Sequence, residues 1–254
     1  MQTPERDPIQ GRKVQLMISC LCDAFFDDAA RATVEVLRQA GCQVTVPSGQ
    51  TCCGQAAYTA GDWEACRQVM RHTAKVFPGP VPVVVASGSC AAALFHEAPI
   101  AFAGEPDLPV IQDLSRRTWE LTDFLTNALG VDRWPGSVAA RAVIHHGCHT
   151  RGTATRDAVR ALCESIDGLE ILDFPDADQC CGFGGIFSVS HPYMSTEMGR
   201  KKVADVLSVE PDIVISADMS CLMHQQGIAG RLGNEYRIQH IAQVMRDASM
   251  GRAV

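Results

Sequence analysis

The sequence lacks the features of a nucleic-acid-binding or membrane protein. Its 254 residues contain no run of Lys or Arg and carry a formal net charge of -7, so a basic surface for nucleic acid is not expected. The apolar runs are short, and stretches such as VPVVVA cannot cross a bilayer. The stretch MQTPERDPIQGRK is polar and has no apolar segment like that of a signal peptide. These absences predict a soluble, cytoplasmic protein without a transmembrane segment.

Two common cofactor-binding motifs are also missing. There is no G-x-G-x-x-G fingerprint, because CGFGG has a different spacing, so a bound nicotinamide or flavin is not expected. The C-x-x-C knuckle of many zinc sites is absent too, although the chain has 12 cysteines. In a cytosolic chain of this size, so many cysteines indicate metal binding or thiol chemistry. Dispersed sets of thiols favour iron-sulfur clusters and leave zinc open.

The two halves of the chain carry the same cysteine pattern. In each half a cysteine is followed 32 residues later by a Cys-Cys-Gly triplet and then by one more cysteine, and the second copy is displaced by 128 residues. Such a repeat favours a shared task over chance. We therefore predict that eight cysteines bind metal or a cluster: Cys20, Cys52, Cys53, Cys90, Cys148, Cys180, Cys181 and Cys221.

The other four cysteines have no counterpart in the repeat. Cys66 and Cys163 recur with apolar residues at helical spacing, so both are predicted to pack in the core. Cys42 opens a predicted strand and is expected to pack as well. Cys22 neighbours Cys20 and could reach the same site.

Each matched cysteine follows a predicted strand. The apolar stretches KVQLMISC, CQVTVP and VPVVVA come before the cysteines of the first half, and RAVIHH, LEILDF and DIVISA hold the same places in the second. Amphipathic stretches such as DDAARATVEVLRQAG and TRDAVRALCESI predict helices between them, and LSRRTWELTDFLTNALG predicts a connecting helix. The alternation predicts an α/β fold of two pseudo-repeated halves, each a small parallel sheet flanked by helices, with the cysteines at the strand C-termini.

This pattern divides the chain into three parts. Residues 1–13 form a polar N-terminal tail, residues 14–134 a first half-domain and residues 135–254 a second one. Because ligands collect beyond the carboxyl ends of parallel strands, the cysteines of both halves are expected to meet at a shared cleft.

Longer motifs carry a family resemblance. Five stretches resemble the cysteine-rich CCG domain found in the heterodisulfide reductases, in the glycolate oxidase iron-sulfur subunit and in the lactate utilisation protein A family. They are TVEVLRQAGCQVTVPSGQTCCGQAAYTAGDWEACR, SGSCAAAL, CCGFGGIFSV, SADMSCLMHQQG and IQHIAQV. The similarity to the last of these families covers about Val14 to Met245. It implies a cytosolic iron-sulfur subunit with 4Fe-4S clusters, one in each half. This subunit would work with two other subunits to oxidise L-lactate, a small 2-hydroxy acid, to pyruvate.

The sequence departs from the related motif at two places. The heterodisulfide reductase motif ends in C-x-x-C and supplies five cysteines to its cluster, whereas Ser87 and Asp218 stand at the earlier cysteine position here. CLCD also has a cysteine, Cys22, where an apolar residue is expected. A heterodisulfide-reductase-like subunit and a non-enzymatic zinc-binding scaffold therefore stay as alternatives.

Histidines make the second half different from the first. His145, His146 and His149 flank Cys148, and Arg151 follows them. Oxidation of a 2-hydroxy acid releases a hydroxyl proton, which a histidine can accept, and a guanidinium can hold a carboxylate. We predict catalytic roles for His146, His149 and Arg151, with electron conduction in the first half. The alternative is that these groups only neutralise an anionic cluster.

Overall fold

The computed structural model describes Arg6 and residues 9–253, and all its strand pairings are parallel. The first half contains β1 (Lys13–Met17), α1 (Cys20–Phe25), α2 (Asp27–Gln39), β2 (Gln43–Thr45), α3 (Gln55–Thr59), α4 (Trp63–Val76), β3 (Val83–Val85), α5 (Gly88–Ala92), α6 (Ala98–Ala101), α7 (Leu108–Arg117), β4 (Thr118–Glu120) and α8 (Leu121–Asp123), with π-helical turns at Ala93–Glu97 and Phe124–Ala128. The second half contains β5 (Ser137–Ile144), a 3-10 turn (Cys148–Thr150), α9 (Ala154–Glu164), β6 (Asp167–Ile171), α10 (Ile186–Ser190), α11 (Pro192–Leu207), β7 (Ile213–Ser216), α12 (Met219–Arg231), β8 (Ile238–His240) and α13 (Ile241–Met250). Among all the described residues, no helix has the length and apolar character needed to cross a membrane.

The two sheets have the same strand order, β2-β1-β3-β4 and β6-β5-β7-β8. In each sheet, the chain places its second strand on one side of its first strand and its third strand on the other side. The direction of strand order therefore reverses between β1 and β3 in the first sheet and between β5 and β7 in the second. Ligands of open parallel sheets bind beyond the strand carboxyl ends at such a reversal. Cys20 and Cys90 follow β1 and β3, and Cys148 and Cys221 follow β5 and β7. The topology therefore brings two cysteines of each half to its crevice, and the predicted fold class is confirmed.

The stretch LSRRTWELTDFLTNALG is not one connecting helix, so that expectation was wrong. Helix α7 ends at Arg117, Thr118–Glu120 form β4, and helical conformation resumes directly afterwards. Trp119 pairs in parallel with Val84, and the whole strand is buried. Three residues are too few to show strand alternation, and helix-forming residues on both sides conceal the strand. Strand β8 (Ile238–His240) escapes prediction for the same reason.

Helices from opposite halves pack against each other in two related pairs. Helix α2 contacts α13, and α8 contacts α9. One hydrophobic core runs through this layer and includes Leu37 of α2, Leu162 of α9 and Met245 of α13. Arg246 of α13 adds an ion pair to Asp28 of α2, with 2.6 Å between Nη1 and Oδ1. The two halves therefore share a core, and their relative position is set by it.

The predicted polar tail, residues 1–13, lies partly outside the described residues, which leave out 1–5, 7 and 8. Arg6 is described, and its side chain is only 6% exposed. Its guanidinium carbon lies 4.1 Å from the ring centroid of Trp119, and its Nη2 lies 3.0 Å from Oδ2 of Asp123. A buried arginine of this kind is anchored by stacking and an ion pair. The division of the chain at residues 13/14 and 134/135 stays a prediction.

Candidate metal centre

A cavity of about 270 Å³ lies where the loops after the strands of both sheets come together. Its lining includes Ser87, His149 and Asp218, together with all eight cysteines of the repeat: Cys20, Cys52, Cys53, Cys90, Cys148, Cys180, Cys181 and Cys221. None of these eight described cysteines forms a disulfide. The shared cleft expected from the sequence is therefore present, and the sequence repeat corresponds to two sets of thiols around one cavity.

The four thiols of the first half are linked by hydrogen bonds. Cys52 accepts hydrogen bonds from the thiols of Cys20 and Cys53, and Cys53 also bonds to Cys90. The bond from Cys20, followed by that from Cys53, lowers the pKa of Cys52 to about 2. The same bond raises the pKa of Cys20, and burial adds to the rise. These contacts therefore favour the thiolate form of Cys52.

The second half repeats this arrangement. Cys180 accepts hydrogen bonds from Cys148 and Cys181, and Cys181 also bonds to Cys221. These bonds, with that from Cys148 the largest effect, lower the pKa of Cys180 to about 2. The bond to Cys180, and then burial, raise the pKa of Cys148. The two thiol sets therefore match in electrostatics as well as in spacing.

A glycine follows each Cys-Cys pair for a conformational reason. The backbone of Gly54 and of Gly182 has φ of +91°, in the left-handed region that a Cβ disfavours. This turn directs the N–H of Gly182 at Sγ of Cys180, 3.4 Å away, and the N–H of Gly54 bonds to Cys52 in the same way. Backbone donors stabilise the thiolate, which is the form that binds metals.

Polar side chains hold the loops that lead into the triplets. The amide of Gln50 donates to the carbonyl of Leu16 and accepts from the N–H of Ile18, both at 2.9 Å, which ties its loop to the end of β1. The buried ammonium of Lys202 donates to the carbonyl of Asp176 at 2.7 Å in the second half. Neither residue carries a signal in the sequence, because both act on backbone atoms far away along the chain.

The donor set of each half fits a metal centre held by sulfur. Four thiols with backbone N–H donors are typical of iron-sulfur clusters, and four thiolates also suit zinc. Hard cations such as magnesium and calcium prefer oxygen ligands, so this donor set disfavours them. The matched cysteines are thus suited to hold one thiolate-bound centre in each half.

Asp218 joins the two halves at the cavity. Its Oδ1 accepts hydrogen bonds from the hydroxyl groups of Ser87 at 2.8 Å and Ser89 at 2.7 Å, and the Ser89 N–H lies 3.1 Å from both carboxylate oxygens. Glycines make room for the carboxylate, since a Cβ at Gly147 would lie 2.6 Å from its Oδ2. The residue that replaces a cysteine of the related motif thus forms a link between the halves.

His149 connects a buried carboxylate to the second thiol set. Its Nε2 lies 3.3 Å from Oε1 of Glu97, which belongs to the first half, and its Nδ1 lies 3.4 Å from Sγ of Cys148. The hydrogen bond to Glu97 raises the pKa of His149, although burial works in the opposite direction. Sequence reasoning does not find Glu97, because it lies in the other half and shows no spacing pattern.

The other predicted catalytic residues lie away from the cavity lining. His146 lines a second, smaller recess, and burial lowers its pKa to about 4. Arg151 ends the 3-10 turn that begins at Cys148. Among the described residues, the cavity lining includes neither His146 nor Arg151. Their catalytic roles stay predictions.

His145 lies against the second thiol set. One of its ring nitrogens and the Sγ atoms of Cys181 and Cys221 all lie within 4.8 Å of one another. Burial lowers the pKa of His145 to about 3, so the imidazole is neutral near pH 7. The sequence shows this histidine as a neighbour of Cys148, but only the fold brings it to these two cysteines.

The four unmatched cysteines lie in the hydrophobic core. Cys42 and Cys163 belong to the core shared by the two halves, and Cys66 packs with Met70, with 3.6 Å between the sulfur atoms. The prediction that these three pack is confirmed. Cys22 is also buried, in the core beside α12, and among the described residues it is not part of the cavity lining.

Comparisons with known proteins agree with the repeat. A family model described as the cysteine-rich CCG domain matches residues 14–95 and 142–226. A protein named lactate utilization protein A from Geobacillus kaustophilus is 41% identical over 235 residues, which cover 92% of this chain and 98% of that protein. One of the same name from Bacillus cereus is 38% identical over 239 residues, which cover 93% and 100%. The crystal structure of a hypothetical protein from Helicobacter pylori matches with a TM-score of 0.67 and 10% sequence identity, and the match covers 98% of this chain and 51% of the Helicobacter pylori chain. This likeness supports the fold alone.

Proposed function

The chain belongs to the lactate utilization protein A family, which contains the cysteine-rich CCG domain, and from this membership we propose that it is an iron-sulfur subunit of a cytoplasmic L-lactate-oxidising system. The observation that carries the proposal is the position of the eight matched cysteines, which line a single cavity between the two halves. A zinc-binding scaffold and a heterodisulfide-reductase-like subunit are the outcomes that would replace it.

We assign one 4Fe-4S cluster to each half. Cys20, Cys52, Cys53 and Cys90 would hold the first, and Cys148, Cys180, Cys181 and Cys221 the second. An iron-sulfur cluster, when bound, supplies one-electron transfer at a potential set by its surroundings. The protein contributes the thiolates and the N–H donors of the Cys-Cys-Gly turns, and both stabilise negative charge at the site.

The reaction requires removal of two electrons and two protons from L-lactate to give pyruvate. We propose that the second half is the reactive one and that Nδ1 of His149 accepts the hydroxyl proton, because this histidine lines the cavity. The second proton, from Cα, would be released to water, and the two electrons of the Cα–H bond would leave through the centres. Glu97 positions the ring by contacting Nε2. The same contacts would also serve to offset the charge of the Cys148 thiolate, so mutagenesis has to separate the two roles. A role for His146 or Arg151 would require a substrate that reaches beyond the cavity lining.

We propose that two other subunits complete the system, as the family resemblance implies. Electrons leaving lactate would pass through both centres to an acceptor on a partner. The net charge of -7 gives no long-range attraction for a carboxylate, so substrate binding would depend on local cations.

The test is anaerobic co-purification of the full chain with the proteins encoded beside it, followed by iron, sulfide and zinc analysis. The same material is assayed for reduction of a two-electron dye with L-lactate, and D-lactate serves as the control. We expect iron and sulfide in the chain and dye reduction that depends on L-lactate. Zinc without sulfide would support the scaffold, and iron-sulfur protein that reduces disulfides but does not oxidise lactate would support the heterodisulfide-reductase-like alternative.

A further inference from the structure

His145 is a buried polar residue whose ring has no hydrogen-bond partner among the described residues. The residue is 2% exposed, and neither Nδ1 nor Nε2 has a hydrogen-bond partner among the described residues. Most buried polar side-chain atoms are hydrogen-bonded, because an unsatisfied donor or acceptor costs about 1–3 kcal/mol. A ring with two such atoms in a packed crevice therefore needs a functional explanation.

The backbone holds this ring beside the thiols. The N–H of His145 donates to the carbonyl of Ile215 at 2.8 Å, and its own carbonyl accepts from the hydroxyl of Ser216 at 2.8 Å. The first bond extends the pairing of β5 with β7 and the second adds a side-chain contact, so together they fix the backbone of His145 at the sheet edge. From this backbone position, one ring nitrogen lies within 4.8 Å of Sγ of Cys181 and Cys221.

The first half has no equivalent nitrogen. The residue 128 positions before His145 is Met17, and each of the two lies three residues before the first cysteine of its repeat. Met17 is buried, and its thioether sulfur is only a weak acceptor. Within the part of the chain that the structure describes, His145, Cys181 and Cys221 form the one group of three potential ligand atoms this close together.

We propose that an imidazole nitrogen of His145 takes the place of one of the four thiolates as a ligand of the metal centre in the second half, which is then bound by nitrogen and sulfur, whereas the centre of the first half is bound by sulfur alone. The identity of the metal rests on the proposed iron-sulfur function. Imidazole ligation changes the potential of an iron-sulfur centre, as the histidine ligands of Rieske centres do. The two centres of this chain would then differ in potential although their cysteine spacings match.

The experiment uses full-length protein, purified anaerobically from cells supplied with nitrogen-15-labelled histidine and reduced with dithionite. Pulsed electron paramagnetic resonance measures the hyperfine coupling between nitrogen-15 and the cluster. We expect a coupling of the size given by a directly bound imidazole. His145→Met, which installs the residue of the first half, should remove it while iron is retained, and His146→Gln, the adjacent control, should leave it unchanged.

Wild-type protein that contains iron and sulfide but shows no such coupling would overturn the proposal, as would an unchanged coupling in His145→Met. If His145→Met does not fold, His145→Gln replaces it, and the wild-type spectrum alone still decides. Iron and sulfide analysis of the same samples tests the proposed function separately. If the protein holds zinc, X-ray absorption at the zinc edge counts nitrogen and sulfur ligands and tests His145 independently of the iron-sulfur proposal.

Discussion

The Ser87 hydroxyl donates a hydrogen bond of 2.8 Å to the carboxylate of Asp218, and these two residues occupy the same position in the two halves. Each lies three residues before the last cysteine of its repeat and directly before a helix, α5 or α12. Their contact therefore joins equivalent positions of the two halves. The sequence comparison with the C-x-x-C motif suggests loss of a thiol at this position, and the structure places an inter-half hydrogen bond there.

Asp218→Ala is expected to lower the free energy of unfolding by about 2–4 kcal/mol, because it removes the acceptor of the buried Ser87 hydroxyl and of the half-buried Ser89 hydroxyl. Ser87→Ala should cost less, about 1–2 kcal/mol, since it also removes the N-cap bond to the N–H of Cys90 but the carboxylate keeps its bonds to Ser89. Urea unfolding under anaerobic conditions measures both. A loss in Ser87→Ala as large as that in Asp218→Ala would contradict this account of the junction.

The two triplet glycines should respond differently to alanine. At Gly182 a Cβ would lie 2.5 Å from the carbonyl oxygen of Ser195, whereas at Gly54 the nearest atom is Cγ of Met70 at 3.4 Å. Both substitutions carry left-handed strain of about 1–2 kcal/mol, and only Gly182→Ala adds a backbone clash. We expect Gly182→Ala to lose more stability and more iron than Gly54→Ala. Equal losses in thermal unfolding and iron content would refute the geometric argument.

The sequence predicts those parts of the site that repeat. Strand-then-cysteine order and the identical 32-residue intervals place the eight thiols on the loops and helix starts that follow the strands, because parallel topology leaves few alternatives. The rest depends on contacts between distant residues. Glu97 meets His149 across the two halves, and the three-residue strand β4 is too short to show a period. Such features follow from packing of the halves, which no local pattern records.

Removing one cysteine from either triplet should remove about half of the bound iron if the two sites are independent. Cys53→Ser and Cys181→Ser test the two halves in turn, and the double variant should lose nearly all the iron. Cys66→Ala is the control, because its thiol packs against Met70 and takes no part in the repeat. Iron and sulfide analysis after anaerobic purification measures the result. Iron loss in the control without unfolding would contradict the assignment.

Glu120 should make stability depend on pH. Burial raises its pKa to about 8, and among the described residues its Oε1 has no partner, while Oε2 accepts from the N–H of Thr122 at 2.8 Å. The pKa of this carboxyl is higher in the folded state than in the unfolded state, where it is about 4.3, so protonation stabilises the fold. This stabilisation is complete below pH of about 4.3 and decreases by about 1.4 kcal/mol per pH unit as the pH rises from there toward the folded-state pKa. Glu120→Gln should flatten the dependence of unfolding free energy on pH between about 5 and 8. The exposed control Glu170→Gln should not, and an unchanged slope in Glu120→Gln would rule out this source.

His149→Gln should lower L-lactate-dependent dye reduction in the assembled complex roughly 100-fold, because it removes the nitrogen that we assign as proton acceptor. His146→Gln is the comparison, and it should keep most of the activity because His146 lies in the smaller recess; an equal loss would instead support the catalytic role predicted for His146 from the sequence. Iron and sulfide content and the visible spectrum must match wild type in both variants, so that a loss reports on proton transfer. Full activity in His149→Gln with intact clusters would contradict the assignment. The contacts of His149 with Glu97 and Cys148 would then serve only to offset charge, and the catalytic site would lie elsewhere in the complex.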